Sequence, residues 1–388
     1  MKNTFRKGLT LLMVLCLLVP LFGLSVLAAD TPADDQLVDV KESSVTDSMK
    51  GISNDPFSAL QWNLKAIGME EAWRSGLTGK GVVVAIVDSG LSSTTGDIAA
   101  SRVEAGPNYT GSVGNSATDI EGHGTFVAGI IGASKDNGVG IAGIAPGVTI
   151  VPIKCYATDE TDFAAQAAGI YAAVDEYHCD ILNISAGDPE IVPEVEAAIR
   201  HALDEGAIVV AAAGNSGDTQ LLYPASYDGV ISVSNVGRDL VLSATSNKND
   251  HVWVTAPGRE IISLGRLPGT VKMSSGTSFS APAVAGVAAL LKEAFPQMTP
   301  ADFREILKVS SKDLGSKGYD IYYGYGLIQA PDAIRAAADY YGVEAPEMSE
   351  PADPGSSWTD FFSFSWLRDL FQNIIRNLFK GWNLNFSL

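Results

Sequence analysis

The sequence predicts an α/β fold: a doubly wound, mainly parallel sheet with helices on both faces. Two observations carry that prediction. Apolar runs rich in β-branched residues recur at 82–87, 148–151, 181–184 and 207–210, and continuous runs of this kind suit strands covered on both faces. Helix-like stretches lie between them, at 163–177 and 192–205; strands alternating with helices at this spacing build parallel βαβ units. Composition agrees. Of 388 residues 46% are hydrophobic and 18% charged, which is ample for a large core. The formal net charge of −19 excludes nucleic acid as a partner, because phosphate binding needs clustered Lys and Arg. A surplus of carboxylates favours solubility or ligates a hard cation such as calcium, and composition leaves both open.

The chain divides by composition. Lys2, Arg6 and Lys7 precede an apolar run at 9–26 and the small residues Ala28 and Ala29, so residues 1–29 read as a signal peptide that directs secretion. Residues 30–54 are polar and poor in aromatics, and read as a short flexible leader. Residues 55–342 carry the alternating pattern. Residues 343–357, with prolines and acidic residues, read as a linker. In 358–388 Trp366, Leu367, Leu370, Phe371, Ile374, Ile375, Leu378 and Phe379 recur at helical spacing against Arg368, Asp369, Gln372 and Arg376. That is an amphipathic helix interrupted by charge too often to span a bilayer. Docking on the body, contact with a membrane surface aided by Trp358, Trp366 and Trp382, and association with a partner all stay open. Beyond the signal, Cys155 and Cys179 read as buried thiols rather than a disulfide framework.

Three glycine-flanked segments carry chemistry. Asp88 follows the 82–87 strand, and the carboxyl ends of parallel strands are where active sites gather. His123 stands between Gly122 and Gly124 at the start of a small-residue helix. Ser278, in Gly276-Thr277-Ser278, precedes the apolar helix that includes 283–291, where backbone N–H groups can face a developing oxyanion. A serine hydroxyl is a weak nucleophile until an imidazole takes its proton, and the imidazole needs a carboxylate to fix its tautomer. Taken singly, each residue is more simply a turn, a core histidine or a helix cap. Together, in the order Asp, His, Ser, they are not.

The three segments closely resemble the signatures of the subtilisins, peptidase family S8, over roughly residues 55–341. The resemblance implies a serine endopeptidase acting on protein or peptide substrates, with Asp88, His123 and Ser278 as its triad. It implies that Asn215, in Gly214-Asn215-Ser216, is the oxyanion donor beside the Ser278 N–H. It implies that an extended substrate pairs along Ser185, Ala186 and Gly187 and along Ala213 and Gly214, with Leu222 at the base of the primary specificity pocket. The family carries a larger residue where Ala186 stands, which widens a subsite, and small residues are common where Leu222 stands, which shortens the pocket. The resemblance also implies a structural calcium ion held by Asp55, Asp97, Asn137 and the carbonyls of Val139 and Ile141, on a loop one residue longer than the family's.

Two readings compete with a general secreted protease: a maturation protease for one dedicated peptide, and a catalytically silent binding protein on the same fold. Residues 30–54 are too few for the folded pro-domain many family members use, so the protease is expected to fold unaided or to be restrained by something else. The chain is read as an extracellular monomer, with association at the cell surface through its tail left open.

Overall fold

A computed structural model describes residues 36–45, 51–92, 95–112, 114–156 and 162–348. Its strands are β1 (Val38–Val40), β2 (Val83–Asp88), β3 (Thr149–Lys154), β4 (Ile181–Ile184), β5 (Ile208–Ala212), β6 (Ile231–Val236), β7 (Val252–Pro257), β8 (Ile261–Leu264) and β9 (Val271–Ser274). Its helices are α1 (Trp62–Ala66), α2 (Met69–Ala72), α3 (His123–Gly132), α4 (Phe163–Asp175), α5 (Pro193–Asp204), α6 (Ala281–Ala294), α7 (Pro300–Ser310) and α8 (Ala330–Tyr341). Local chemistry sets several ends. Asp162 accepts the Ala165 N–H to start α4. Thr299 and Asp302 form a capping box on α7 with Pro300 in its first turn.

Six strands form one sheet in the order β3-β2-β4-β5-β6-β7, with every neighbouring pair parallel. This is the predicted architecture. Along β2 the side chains alternate between two cores: Val84 and Ile86 join Phe126 of α3 and Val287 of α6, while Ala85 and Val87 join Ile170 of α4 and Ile199 of α5. Both faces of the sheet are therefore buried, which is why its strands read as unbroken apolar runs. The chain winds from β2 to β3 on one side and from β4 to β5 on the other, so the winding reverses between β2 and β4. That reversal opens a crevice at the carboxyl ends of these strands.

Three features differ from the sequence reading or extend it. β6 and β7 carry buried polar residues, Ser232, Ser234, Asn235 and Thr255; Thr255 Oγ1 donates to the Ser234 carbonyl, and Ser234 Oγ to that of Tyr322. Part of the leader is ordered: β1 pairs antiparallel with β9 in a small sheet β1-β9-β8. Cys155 and Cys179 are unpaired buried thiols, both pushed well above the ordinary thiol range by burial. The expected signal peptide, residues 30–35 and 46–50 of the expected leader, residues 349–357 of the expected linker and the expected C-terminal amphipathic helix lie outside the described residues. Among the described residues no helix is long and apolar enough to cross a membrane.

Candidate active site

Asp88 closes β2 and is buried. Its two carboxylate oxygens lie 2.8 and 3.0 Å from His123 Nδ1, and its Oδ1 also accepts the Ser89 N–H at 2.7 Å. A carboxylate accepts only, so Nδ1 carries the ring proton and Nε2 holds the lone pair. His123 opens α3, where Gly122 takes a left-handed φ of 95°. The helix start touches β2: a Cβ on Gly124 would sit 2.2 Å from the Gly90 carbonyl oxygen. The His123 ring also rests against Phe279, with centroids 5.4 Å apart.

Asp119 escaped the sequence reading and anchors this helix start. Its Oδ1 accepts from Ser89 Oγ and from the Gly122 N–H, and its Oδ2 accepts from the Thr125 N–H and hydroxyl. Ser89 Oγ in turn accepts the Gly124 N–H. The buried carboxylate thus ties the loop after β2 to the first turn of α3, fixing His123 against Asp88. Its signal was weak, since an Asp among polar loop residues is ordinarily a turn former.

Ser278 lies in a 3-10 turn, Thr277–Phe279, just before α6. Its Oγ donates to the Ser185 carbonyl at 3.2 Å, and Ser185 Oγ donates to the Ser278 carbonyl at 2.8 Å. Asn215 lies beyond β5, and its Oδ1 accepts both the N–H and the hydroxyl of Thr277 at 2.9 Å. That double contact fixes the amide with its NH2 as the opposite end. Thr277 also accepts the Gly214 N–H, at φ 110°. Leu222 bridges two walls of the crevice: its Cδ2 would lie 3.0 Å from a Cβ on Gly187 and 3.1 Å from one on Gly214. The structure therefore brings Asp88, His123, Ser278, Asn215, Ser185, Gly187, Gly214 and Leu222 to one crevice, flanked by Ala186 and Ala213.

The residues expected to hold calcium meet at a separate loop. Asn137 Nδ2 and the Ile141 N–H donate to the two oxygens of the buried Asp97 carboxylate, at 2.8 and 2.9 Å. A Cβ on Gly140 would sit 2.4 Å from Asp97 Oδ2, so the loop wraps that carboxylate closely. Asp55 instead faces N–H donors from Asp136, Asn137 and Gly138, closing the loop onto the N-terminal segment. Burial, with the Asp55 charge adding to it, pushes the Asp97 carboxyl up to about 6. Among the described residues no group of three or more His, Cys, Asp or Glu is gathered. Asn137 Oδ1 likewise accepts the Val139 N–H, at 2.8 Å. The donor types gathered here, carboxylate, amide and main-chain carbonyl oxygens, are hard and suit calcium better than a softer metal.

Comparison with known proteins shows what the chain is similar to. The model of the subtilase family matches residues 79–326. The minor extracellular protease Epr of Bacillus subtilis is 38% identical over 299 residues, covering 76% of this chain and 45% of Epr, so the chain spans less than half of that relative. Subtilisin BL of Lederbergia lenta is 32% identical over 279 residues, covering 71% of this chain and 99% of that protein. Among solved structures, a protease of Pseudoalteromonas arctica superposes with a TM-score of 0.67 at 27% identity, covering 74% of this chain and all of that one. Fervidolysin of Fervidobacterium pennivorans, a keratinolytic enzyme, gives 0.67 at 28% identity, over 77% of this chain and 50% of its own.

Proposed function

The chain belongs to the subtilase family of serine endopeptidases, and we propose that Asp88, His123, Ser278 and Asn215 carry its chemistry through an acyl-enzyme. The observation that carries this reading is the Asp88–His123 contact, which takes up Nδ1 and leaves Nε2 as the ring nitrogen that can accept a proton. Ser278 Oγ attacks the scissile carbonyl carbon as its proton passes to His123 Nε2, and Asp88 stabilises the resulting imidazolium. The carbonyl oxygen becomes an oxyanion that accepts from the Ser278 N–H and the Asn215 NH2. His123 then protonates the leaving amine, and water hydrolyses the acyl-enzyme by the reverse path. Activity rises through near-neutral pH, because only the neutral imidazole accepts the proton.

An extended peptide binds along 185–187 and 213–214, where main-chain hydrogen bonds are independent of substrate sequence. Leu222, wedged between Gly187 and Gly214, shortens the primary pocket and disfavours large aromatic residues there. Calcium is structural, held by Asp97, Asn137 and the Val139 and Ile141 carbonyls, while Asp55 closes the loop. Secretion follows the signal-like residues 1–29. Casein hydrolysis tests the chemistry: wild type cleaves and Ser278→Ala does not, and equal rates overturn the mechanism. Peptides with Ala, Leu or Phe before the scissile bond test the pocket, and a clear preference for Phe overturns the role of Leu222.

A further inference from the structure

The loop between β6 and β7 supplies no group to the proposed chemistry, yet it is built against the segment that carries Asn215. Asn247 is wholly buried within it. Its N–H donates to the Gly214 carbonyl at 2.9 Å. Its Oδ1 accepts the Ser216 N–H at 2.8 Å, and its Nδ2 donates to the Gln220 carbonyl at 3.1 Å. The next two residues extend the seam. Lys248 donates from its N–H to the Asp218 carbonyl at 2.9 Å and from Nζ to that of Gly217 at 2.7 Å, and Asn249 Nδ2 donates to the Gln220 carbonyl at 3.2 Å.

The fit is close enough to dictate residue type. A Cβ on Gly214 would sit 2.5 Å from Asn247 Nδ2, and one on Gly217 would sit 2.4 Å from the Ala244 carbonyl oxygen. Both glycines have left-handed φ, 110° and 71°. They bracket Asn215 and Ser216 with the most permissive backbone a chain can have. The segment therefore takes its shape from residues 244–249 rather than from torsional preferences of its own.

A donor aimed at an oxyanion has to be fixed at both ends. Thr277 fixes the amide tip of Asn215 by bonding twice to its Oδ1. The Gly214 carbonyl and the Ser216 N–H belong to the two peptide planes that flank the Asn215 Cα, so a residue bonded to both sets the Asn215 φ and ψ. Resting on the assignment of Asn215 as oxyanion donor, we propose that Asn247 is a positioning residue that fixes the backbone end of that donor. The NH2 then meets the developing charge without reorganisation. An amide side chain suits the place because it accepts from Ser216 and donates to Gln220 while adding no charge beside the oxyanion.

A double-mutant cycle in the full chain, read on a peptide p-nitroanilide, separates positioning from bulk stability. Asn247→Ala keeps the N–H on Gly214 and frees Ser216, so kcat is expected to fall about tenfold with KM within about twofold. Lys248→Met frees the Gly217 carbonyl, one residue further from Asn215, and is expected to lower kcat about threefold. On an Asn215→Ala background both losses are expected to vanish, because no amide is left to misplace. Thr299→Ala, which removes the cap of α7 outside the crevice, is expected to lower Tm and leave kcat unchanged. Where Asn247→Ala fails to fold, Lys248→Met completes the cycle and the same results decide. Equal kcat losses on the wild-type and Asn215→Ala backgrounds, or a raised KM with kcat kept, overturn the proposal. An Asn215→Ala variant that loses no activity overturns the assignment of Asn215 instead.

Discussion

Asn215 shows how one side chain can be fixed in advance for the role proposed for it, one confined to the transition state. Its Oδ1 is held twice by Thr277, so the NH2 needs no reorganisation when negative charge develops on the substrate. Asn215→Ala is expected to lower kcat by about 10²–10³ with KM little changed, the size of loss known for this donor in a subtilisin. A variant that raises KM and keeps kcat would show that Asn215 binds the ground state instead. Asp88, His123 and Ser278 were legible as candidates only together, through three glycine-flanked segments in one order, since each alone has a simpler use; Asn215 followed from the resemblance those segments carry. Asp119 was not, although it accepts four hydrogen bonds at the helix start, because nothing in its neighbours marks it off from a turn. Removing a buried carboxylate leaves those donors unsatisfied, at about 1–3 kcal/mol per group. Asp119→Ala is therefore expected to lower Tm and kcat together, measured by calorimetry and p-nitroanilide turnover.

At the scale of elements, the crevice depends on α3 meeting β2 without a side chain between them. A Cβ on Gly124 would clash with the Gly90 carbonyl at 2.2 Å, and it would also lie 3.1 Å from Asp88 Oδ1. Gly124→Ala must push the helix start away from β2 and carry His123 off Asp88. The expected result is a fall in kcat of at least about 10², since a misplacement of about 1 Å can cost that much. Unchanged turnover would mean that the helix shifts without moving His123. The strands that build this contact were legible for the same reason that they are buried: β2, β4 and β5 are covered on both faces and contain almost only apolar residues. β6 and β7 were not picked out, because Thr255 bonds to the Ser234 carbonyl within the sheet and Ser234 to the Tyr322 carbonyl outside it, and a sequence shows the polar group without its partner. β1 escaped because a strand of three residues, two of them exposed, carries too little pattern to separate it from a polar leader.

At the scale of the molecule, stability hangs on how the loop at 136–141 manages the negative charge it encloses. Asp97 binds its proton more tightly in the folded protein, its carboxyl rising from 3.8 to about 6 through burial. In the metal-free protein the stabilisation from this linkage is complete below the unfolded value and is lost as pH rises through the folded one. A shift of about two units is worth up to about 3 kcal/mol. A calcium ion at the proposed site would reverse the sign, because it would bind the ionised carboxylate and gain occupancy as the proton leaves. The comparison that isolates this group is wild type against Asp97→Asn, followed as Tm from pH 4 to pH 7. In chelator, wild type is expected to lose stability relative to the variant as pH rises. In excess calcium it is expected to gain, by an amount that grows with the logarithm of calcium concentration. If the two proteins keep a constant difference in chelator, the buried carboxylate is neutralised by its hydrogen bonds and by nearby Arg102, which also lowers its pKa. If calcium moves neither, the loop is closed by the Asp55 contacts to residues 136–138 alone, and the hard oxygens around Asp97 serve packing rather than an ion.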